Sequence, residues 1–230
     1  MDNSAVILAS GGMDSLTAAH VAKDRGYDLY FLHTSYGQQT QSTERECAKQ
    51  QAKQLGAVDF CEMTMDHLHE IGGSSLTDSG VSVDEADLDS NEVPQSYVPF
   101  RNGNLMAMAA SYAEVNDCDS IFIGAHSEDF SGYPDCRPQF FDAFQEVVNV
   151  GTKGSTKISI QAPFTEWSKT EIVELGVQIG VSYESSWSCY RERETACGTC
   201  DACAYRLQAF QNCGLTDPID YQERPDYTDS

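Results

Sequence analysis

Short, wholly apolar runs alternate with longer stretches whose apolar residues recur at helical spacing. Ala5-Val6-Ile7-Leu8-Ala9 has no polar member, which predicts a strand buried on both faces. A helix over about 15–25 follows, ended by Gly26, and then a second strand over 29–34. A second helix is expected over 42–55, closed by Gly56, and a third strand over 58–65. Farther on, 104–115 reads as a helix, 120–124 as a buried strand and 158–162 as a short strand. Pro138 opens a helix to about 148. Ser168-Lys169-Thr170-Glu171 is a capping box before a helix ending near Gly180. This alternation predicts an α/β protein with a doubly wound, mostly parallel sheet.

Two regions break the rhythm. Residues 66–99 are rich in Asp, Ser, Gly and Glu and lack a period, so a long, partly mobile loop is expected. Beyond 182 strand signals thin out and cysteines cluster. The division expected is an α/β nucleotide-binding domain over 1–181 and a small metal-bound segment over 182–230 packed on it. There is no internal repeat and no heptad pattern.

The first polar break falls where chemistry is expected. Ser10-Gly11-Gly12-Met13-Asp14-Ser15 lies between the first strand and the first helix. Ligands of such sheets bind beyond the carboxyl ends of strands, at helix N-termini. Two glycines permit positive φ and a close approach of backbone to an anion. Successive N–H groups and the helix dipole then form an anion nest, with Ser10 and Ser15 as hydroxyl donors. No Lys-Ser/Thr pair follows, so this is not the Walker arrangement, and it is not Gly-x-Gly-x-x-Gly.

Cys189-x₇-Cys197-x₂-Cys200-x₂-Cys203 offers four thiols within one short segment. Tetrahedral Zn²⁺ suits them, with Gly198 turning the chain and Asp201 capping the helix that carries Cys203. An iron–sulfur cluster, a redox Cys-x-x-Cys pair and disulfides are the competing readings. A closed zinc site would hold its segment without touching the chemistry. The other five of the nine cysteines, Cys47, Cys61, Cys118, Cys136 and Cys213, read as small buried hydrophobes.

Charge narrows the partners. With 14 Lys+Arg against 36 Asp+Glu, the formal net charge is −22, which repels phosphodiester backbones and argues against a nucleic-acid partner. Such acidity suits high salt, where self-repulsion is screened. No run is long and apolar enough to span a membrane, and Met1-Asp2-Asn3-Ser4 does not start a signal peptide, so a cytoplasmic protein is expected.

The Ser-Gly-Gly-x-Asp-Ser string resembles the signature of the PP-loop ATP pyrophosphatases. Two further strings are Val98-Pro99-Phe100-Arg101-Asn102 and Glu128-Asp129-Phe130-Ser131-Gly132-Tyr133-Pro134-Asp135-Cys136-Arg137. With the loop and the cysteine spacing, they resemble the 7-cyano-7-deazaguanine (preQ0) synthase family of queuosine and archaeosine biosynthesis, over about 5–207. The resemblance implies an ATP-dependent ligase that turns 7-carboxy-7-deazaguanine and ammonia into the nitrile through adenylated intermediates. It implies an ATP-binding stretch of Ala9, Ser10, Gly11, Gly12, Met13, Asp14, Ser15, Leu16, Thr17, Ala18 and Ala19. It also implies zinc on Cys189, Cys197, Cys200 and Cys203, and suggests a homodimer. Mg²⁺ is expected with the ATP.

Chemistry suggests the remaining candidates. Arg101 or Arg137 suits a carboxylate or a phosphate. Asp129 or Asp135 can accept from a guanine-like amine edge, Tyr133 or Phe130 can stack on the heterocycle, and Lys169 can reach a phosphate. Tyr36-Gly37-Gln38 should lie near the nucleotide. His126 is an acid/base or a structural histidine. His67 and His69 read as exposed polar sequence and only weakly as metal ligands. A tRNA-modifying PP-loop enzyme (sulfurtransferase or lysidine-type), another PP-loop amide-former such as an NAD or GMP synthetase, and a non-catalytic zinc-ribbon module are the alternatives.

Overall fold

The computed structural model describes residues 3–78, 80–88, 93–127, 133–191 and 194–228. Five parallel strands form one sheet in the order β3-β2-β1-β4-β5. They are β1 (Ser4–Leu8), β2 (Asp28–Ser35), β3 (Asp59–Thr64), β4 (Ser120–Phe122) and β5 (Ser159–Gln161). The helices are α1 (Met13–Asp24), α2 (Gln41–Leu55), α3 (Asp66–Ile71), α4 (Arg101–Val115), α5 (Pro138–Gly151), α6 (Lys169–Gln178) and α7 (Asp201–Asn212).

The continuous apolar run of β1 is explained by burial on both faces. Val6 and Leu8 join Leu32, Ile121, Met106 and Phe141 under α4 and α5. Ala5, Ile7 and Ala9 join Phe31, Phe122, Ala19 and Ala48 under α1 and α2. Successive side chains of a strand point to opposite faces, so one apolar run serves both layers. From β1 the chain winds outward through β2 to β3, and from β4 to β5 on the other side. The switch point therefore lies beyond the carboxyl ends of β1 and β4.

Each expected element exists, with bounds moved by a few residues. Gly26 and Gly56 both take positive φ where α1 and α2 end. The capping box is formed: Ser168 Oγ accepts from Glu171 N, and Ser168 N donates to Glu171 Oε2. In α7 the cap position belongs to Cys200, and Asp201 is the first helical residue. Asp201 therefore meets the helix dipole in the first turn instead of capping it.

The described residues of 66–99 are more than an open loop. They open with α3 and then fold back on the molecule. Ser74, Ser75, Leu76, Thr77, Ser96 and Val98 are all buried. Ser75 N donates to Gln95 O at 2.9 Å, and Gln39 Nε2 to Ser75 O at 3.2 Å. Most of the hydrogen bonds of this buried polar sequence are met inside, with the Ser75 hydroxyl the exception among the described residues. Some of those partners are remote: Arg191 donates to Val83 O and to Glu85 Oε1, and Ala86 N donates to Thr199 O.

Candidate active site and cysteine centre

The turn between β1 and α1 is shaped by what surrounds it. Gly11 has φ +85, and a Cβ there would stand 2.2 Å from the backbone oxygen of Glu44. Its carbonyl accepts from Trp187 N at 2.9 Å and from Gln51 Nε2 at 3.0 Å. Gly12 N donates to Ser10 Oγ at 3.1 Å, and the Ser10 and Ser15 hydroxyls meet at 3.0 Å. Gly124, just after β4, is packed against the first turn of α1: a Cβ there would lie 2.7 Å from Ser15 N.

Asp14 leads into a small charged cluster. Its Oδ2 lies 3.3 Å from Lys169 Nζ and 3.7 Å from His126 Nε2. The capping box places Lys169 as the first residue of α6, aimed back at the loop. Asp14 Oδ1 is buried with no hydrogen-bond partner among the described residues. Such an orphaned carboxylate oxygen suits a hard divalent cation.

These groups open on one cavity of about 220 Å³. Ala9, Ser10, Gly12, Asp14 and Ser15 line it, as do Lys169 and His126. Of the remaining expected ATP-binding residues, Met13, Leu16, Thr17, Ala18 and Ala19 are buried in the molecule and hold the helix in place. Across the cavity stand Tyr36, Arg101, Tyr133 and Tyr190. Arg101 Nη1 donates to Tyr36 OH at 2.8 Å, and its guanidinium lies 5.3 Å from that ring's centre. Burial, partly opposed by Arg101, pushes the Tyr36 phenol up to about 12.

Other candidates fall elsewhere. Asp135 does not line the cavity; its Oδ2 accepts from Asn102 N at 2.7 Å, at the start of α4. That carboxylate oxygen is engaged by a helix N-terminus. Arg137 is exposed at the start of α5, away from the cavity lining. Asp129 and Phe130 lie outside the described residues. His67 pairs with Asn104 Oδ1 at 3.0 Å and His69 with Thr77 O at 2.8 Å, and among the described residues neither joins a metal cluster.

The four cysteines converge. Cys189, Cys197, Cys200 and Cys203 are buried and their Sγ atoms lie within 4.8 Å of one another. Cys189 Sγ and Cys197 Sγ are 3.6 Å apart, and Cys197 Sγ and Cys203 Sγ 3.9 Å. A tetrahedron with Zn–S bonds of about 2.3 Å has edges of about 3.8 Å. The space fits one zinc ion, and Thr199 N and Cys200 N each donate to Cys197 Sγ at 3.4 Å. All nine cysteines are free of disulfides.

The cysteine centre lies beside this cavity. Trp187, Ser188 and Tyr190, on either side of Cys189, line the same cavity, and Trp187 N holds Gly11 O. Sequence reasoning missed these residues and Gln51. Only Gln51 carried a signal: a polar residue beside Ala48 and Ala52 on the buried face of α2.

Comparison with known proteins places this geometry. A 7-cyano-7-deazaguanine synthase of Halobacterium salinarum is 66% identical over 224 residues, 97% of this chain and 98% of the relative. One from Haloarcula marismortui is 63% identical over 229 residues, 99% of each chain. The structure of NMN synthetase from Francisella tularensis shares the fold, with a TM-score of 0.50 at 16% identity, covering 94% of this chain and 79% of that one. The queuosine biosynthesis protein QueC family matches residues 4–214, and the chain belongs to that family.

Proposed function

We propose that this chain is a 7-cyano-7-deazaguanine synthase, an ATP-dependent ligase that makes the nitrile from 7-carboxy-7-deazaguanine and ammonia. The observation that carries the reading is the shared cavity. Ser10, Gly12 and Ser15 at the start of α1 and the Asp14–Lys169 pair share one pocket at the sheet's switch point with an arginine set among tyrosines. Identity of 66% over nearly the full length supports the substrate.

The residues have distinct tasks. Ser10, Gly12 and Ser15 hold the β- and γ-phosphates at the start of α1, where N–H groups and dipole favour anions. Lys169 adds positive charge beside them. Asp14 Oδ1 would hold Mg²⁺, which when bound neutralises phosphate charge. A carboxylate oxygen of the substrate attacks the α-phosphorus, and pyrophosphate departs into the nest, stabilised as its charge develops. Ammonia then attacks the carbonyl carbon and AMP leaves, giving the amide. A second activation, on the amide oxygen, lets that oxygen leave with AMP as two N–H protons are lost, and the nitrile remains.

One zinc ion on Cys189, Cys197, Cys200 and Cys203 would fix the 187–203 segment against the loop. The two-part organisation, an α/β domain over 1–181 carrying the zinc segment 182–230, follows from the same reading. So does a cytoplasmic protein acting on small molecules and not on nucleic acid. No helix among the described residues is long and apolar enough to cross a membrane. The homodimer that the resemblance suggests has a surface to use. Phe140, Ala143, Phe144, Val147 and Val150 form one stripe on α5, and Val147 and Val150 are 57% and 83% exposed.

The test is a reaction of purified protein with ATP, Mg²⁺, ammonium and the 7-carboxy acid, read by mass spectrometry at low and molar salt. Nitrile with AMP and pyrophosphate is expected. Nitrile with ADP would remove the adenylation step, and no conversion by zinc-loaded, folded protein would remove the substrate.

A further inference from the structure

Among the described residues, Lys169 and Arg101 bring positive charge to the cavity, in different surroundings. Lys169 is paired with Asp14 beside the anion nest, on the β4–β5 side of the loop. Arg101 stands on the β2 side, against Tyr36 just past that strand. It has no carboxylate within ion-pair distance among the described residues, and its one side-chain hydrogen bond there goes to a phenol. That phenol stays neutral at any physiological pH, being pushed up to about 12 chiefly by burial. Among the described residues, four of its five guanidinium N–H groups therefore meet no side-chain acceptor. The nearby Asp135 carboxylate is already engaged by Asn102 N.

Arg101 is half-buried, and a partly desolvated cation that meets no carboxylate among the described residues is stabilised by an incoming anion. The proposed reaction brings two anions into the cavity, a triphosphate and a heterocyclic carboxylate. The nest and Lys169 account for the first. A planar guanidinium matches a carboxylate in shape and in donor spacing. Tyr133 and Tyr190 beside it supply flat apolar surface for a fused ring.

Resting on the proposed function, the geometry points to Arg101 as the specificity-determining residue that reads the carboxylate of the heterocyclic acid, with Tyr36 positioning it. Arg101 holds one carboxylate oxygen and leaves the other to attack the α-phosphorus. The amide formed midway has no negative charge, so Arg101 has less to offer it. The enzyme therefore depends on Arg101 for the first half-reaction far more than for the second.

The test compares the 7-carboxy acid and the corresponding amide as separate substrates of the zinc-loaded enzyme. Arg101→Gln should lower kcat/KM for the acid about 100-fold, mainly through KM, as for a lost charge-assisted pair. For the amide the loss should stay within about 5-fold, with ATP affinity by calorimetry unchanged. Tyr36→Phe, which removes only the steering hydroxyl, should show a smaller loss in the same direction and serves if Arg101→Gln does not fold. Equal losses on both substrates would overturn the assignment, as would an unchanged KM for the acid. Weakened ATP binding with either variant would make Arg101 a phosphate ligand instead. Wild-type enzyme that converts neither substrate would sink the proposed function itself, an outcome separate from all of these.

Discussion

Gly124 makes its contribution by lacking a side chain. A Cβ there would press 2.7 Å from both Asp14 C and Ser15 N, which are backbone atoms and cannot swing aside. Gly124→Ala should therefore shift the start of α1 and weaken ATP binding at least about tenfold, or about 1.4 kcal/mol. Calorimetric titration with ATP reads this directly, and unchanged affinity would mean that the loop tolerates the displacement. Arg206 poses the opposite case, a large charged side chain with 0% exposure. It pairs with Asp217 through two bonds of 2.7 and 2.9 Å and also donates to Ser186 and Tyr183 carbonyls. Arg206→Met would leave the Asp217 charge buried and unmatched, at a cost of about 3–5 kcal/mol in urea unfolding. Adding Asp217→Leu should recover part of that loss, whereas a purely packing role for Arg206 would make the two losses additive. The chain's own text marks Gly11 and Gly12 through their motif, but nothing near Arg206 reveals that its partner lies eleven residues on.

The segment from Trp187 to Cys203 joins two jobs that its sequence suggests are separate. Its cysteines converge on one point, while Trp187, Ser188 and Tyr190 form a wall of the cavity. Arg191, two residues past the first thiol, ties residues 83–85 to the same wall. Removing zinc should therefore loosen the grip of Trp187 N on Gly11 O and reduce nucleotide affinity. Titrating ATP into the chelated protein, with circular dichroism to confirm that the sheet persists, checks this. Unchanged affinity in folded, zinc-free protein would restore the zinc site to a remote staple. The same element shows where reading from sequence stops. Strands β1 to β5 were legible because burial on one or two faces writes a local pattern. The covering residues Ser75, Val83 and Ala86 were not, because what holds them is Gln39, Arg191 and Thr199, far away in the chain. Tyr36, Arg101 and Lys169 were visible as motif members, but their division between the two ends of the cavity follows only from strand order. The partner of Asp135, Asn102 N, was hidden for the same reason: what a carboxylate meets is a tertiary fact.

Taken whole, the molecule sets charge against contact. A formal charge of −22 on 230 residues opposes both the compact state and the approach of a second copy. The exposed stripe on α5 favours that approach, and Phe100, 56% exposed, extends it by stacking edge-on against Phe140 at 5.9 Å. Salt decides between the two tendencies, since the screening length falls from about 10 Å at 0.1 M to about 3 Å at 1 M. Self-repulsion then fades, while apolar burial does not weaken. Two consequences follow for one titration in potassium chloride from 0.1 to 2 M. The melting temperature should rise by several degrees, on the order of 1 kcal/mol or more of relieved repulsion. Sedimentation should move from monomer towards dimer over the same range. Val147→Asp with Val150→Asp separates the effects: it should hold the chain monomeric at every salt while leaving most of the rise in melting temperature. A melting temperature independent of salt would show that the acidic surface carries no net strain. A dimer that survives both substitutions would place the contact on another face.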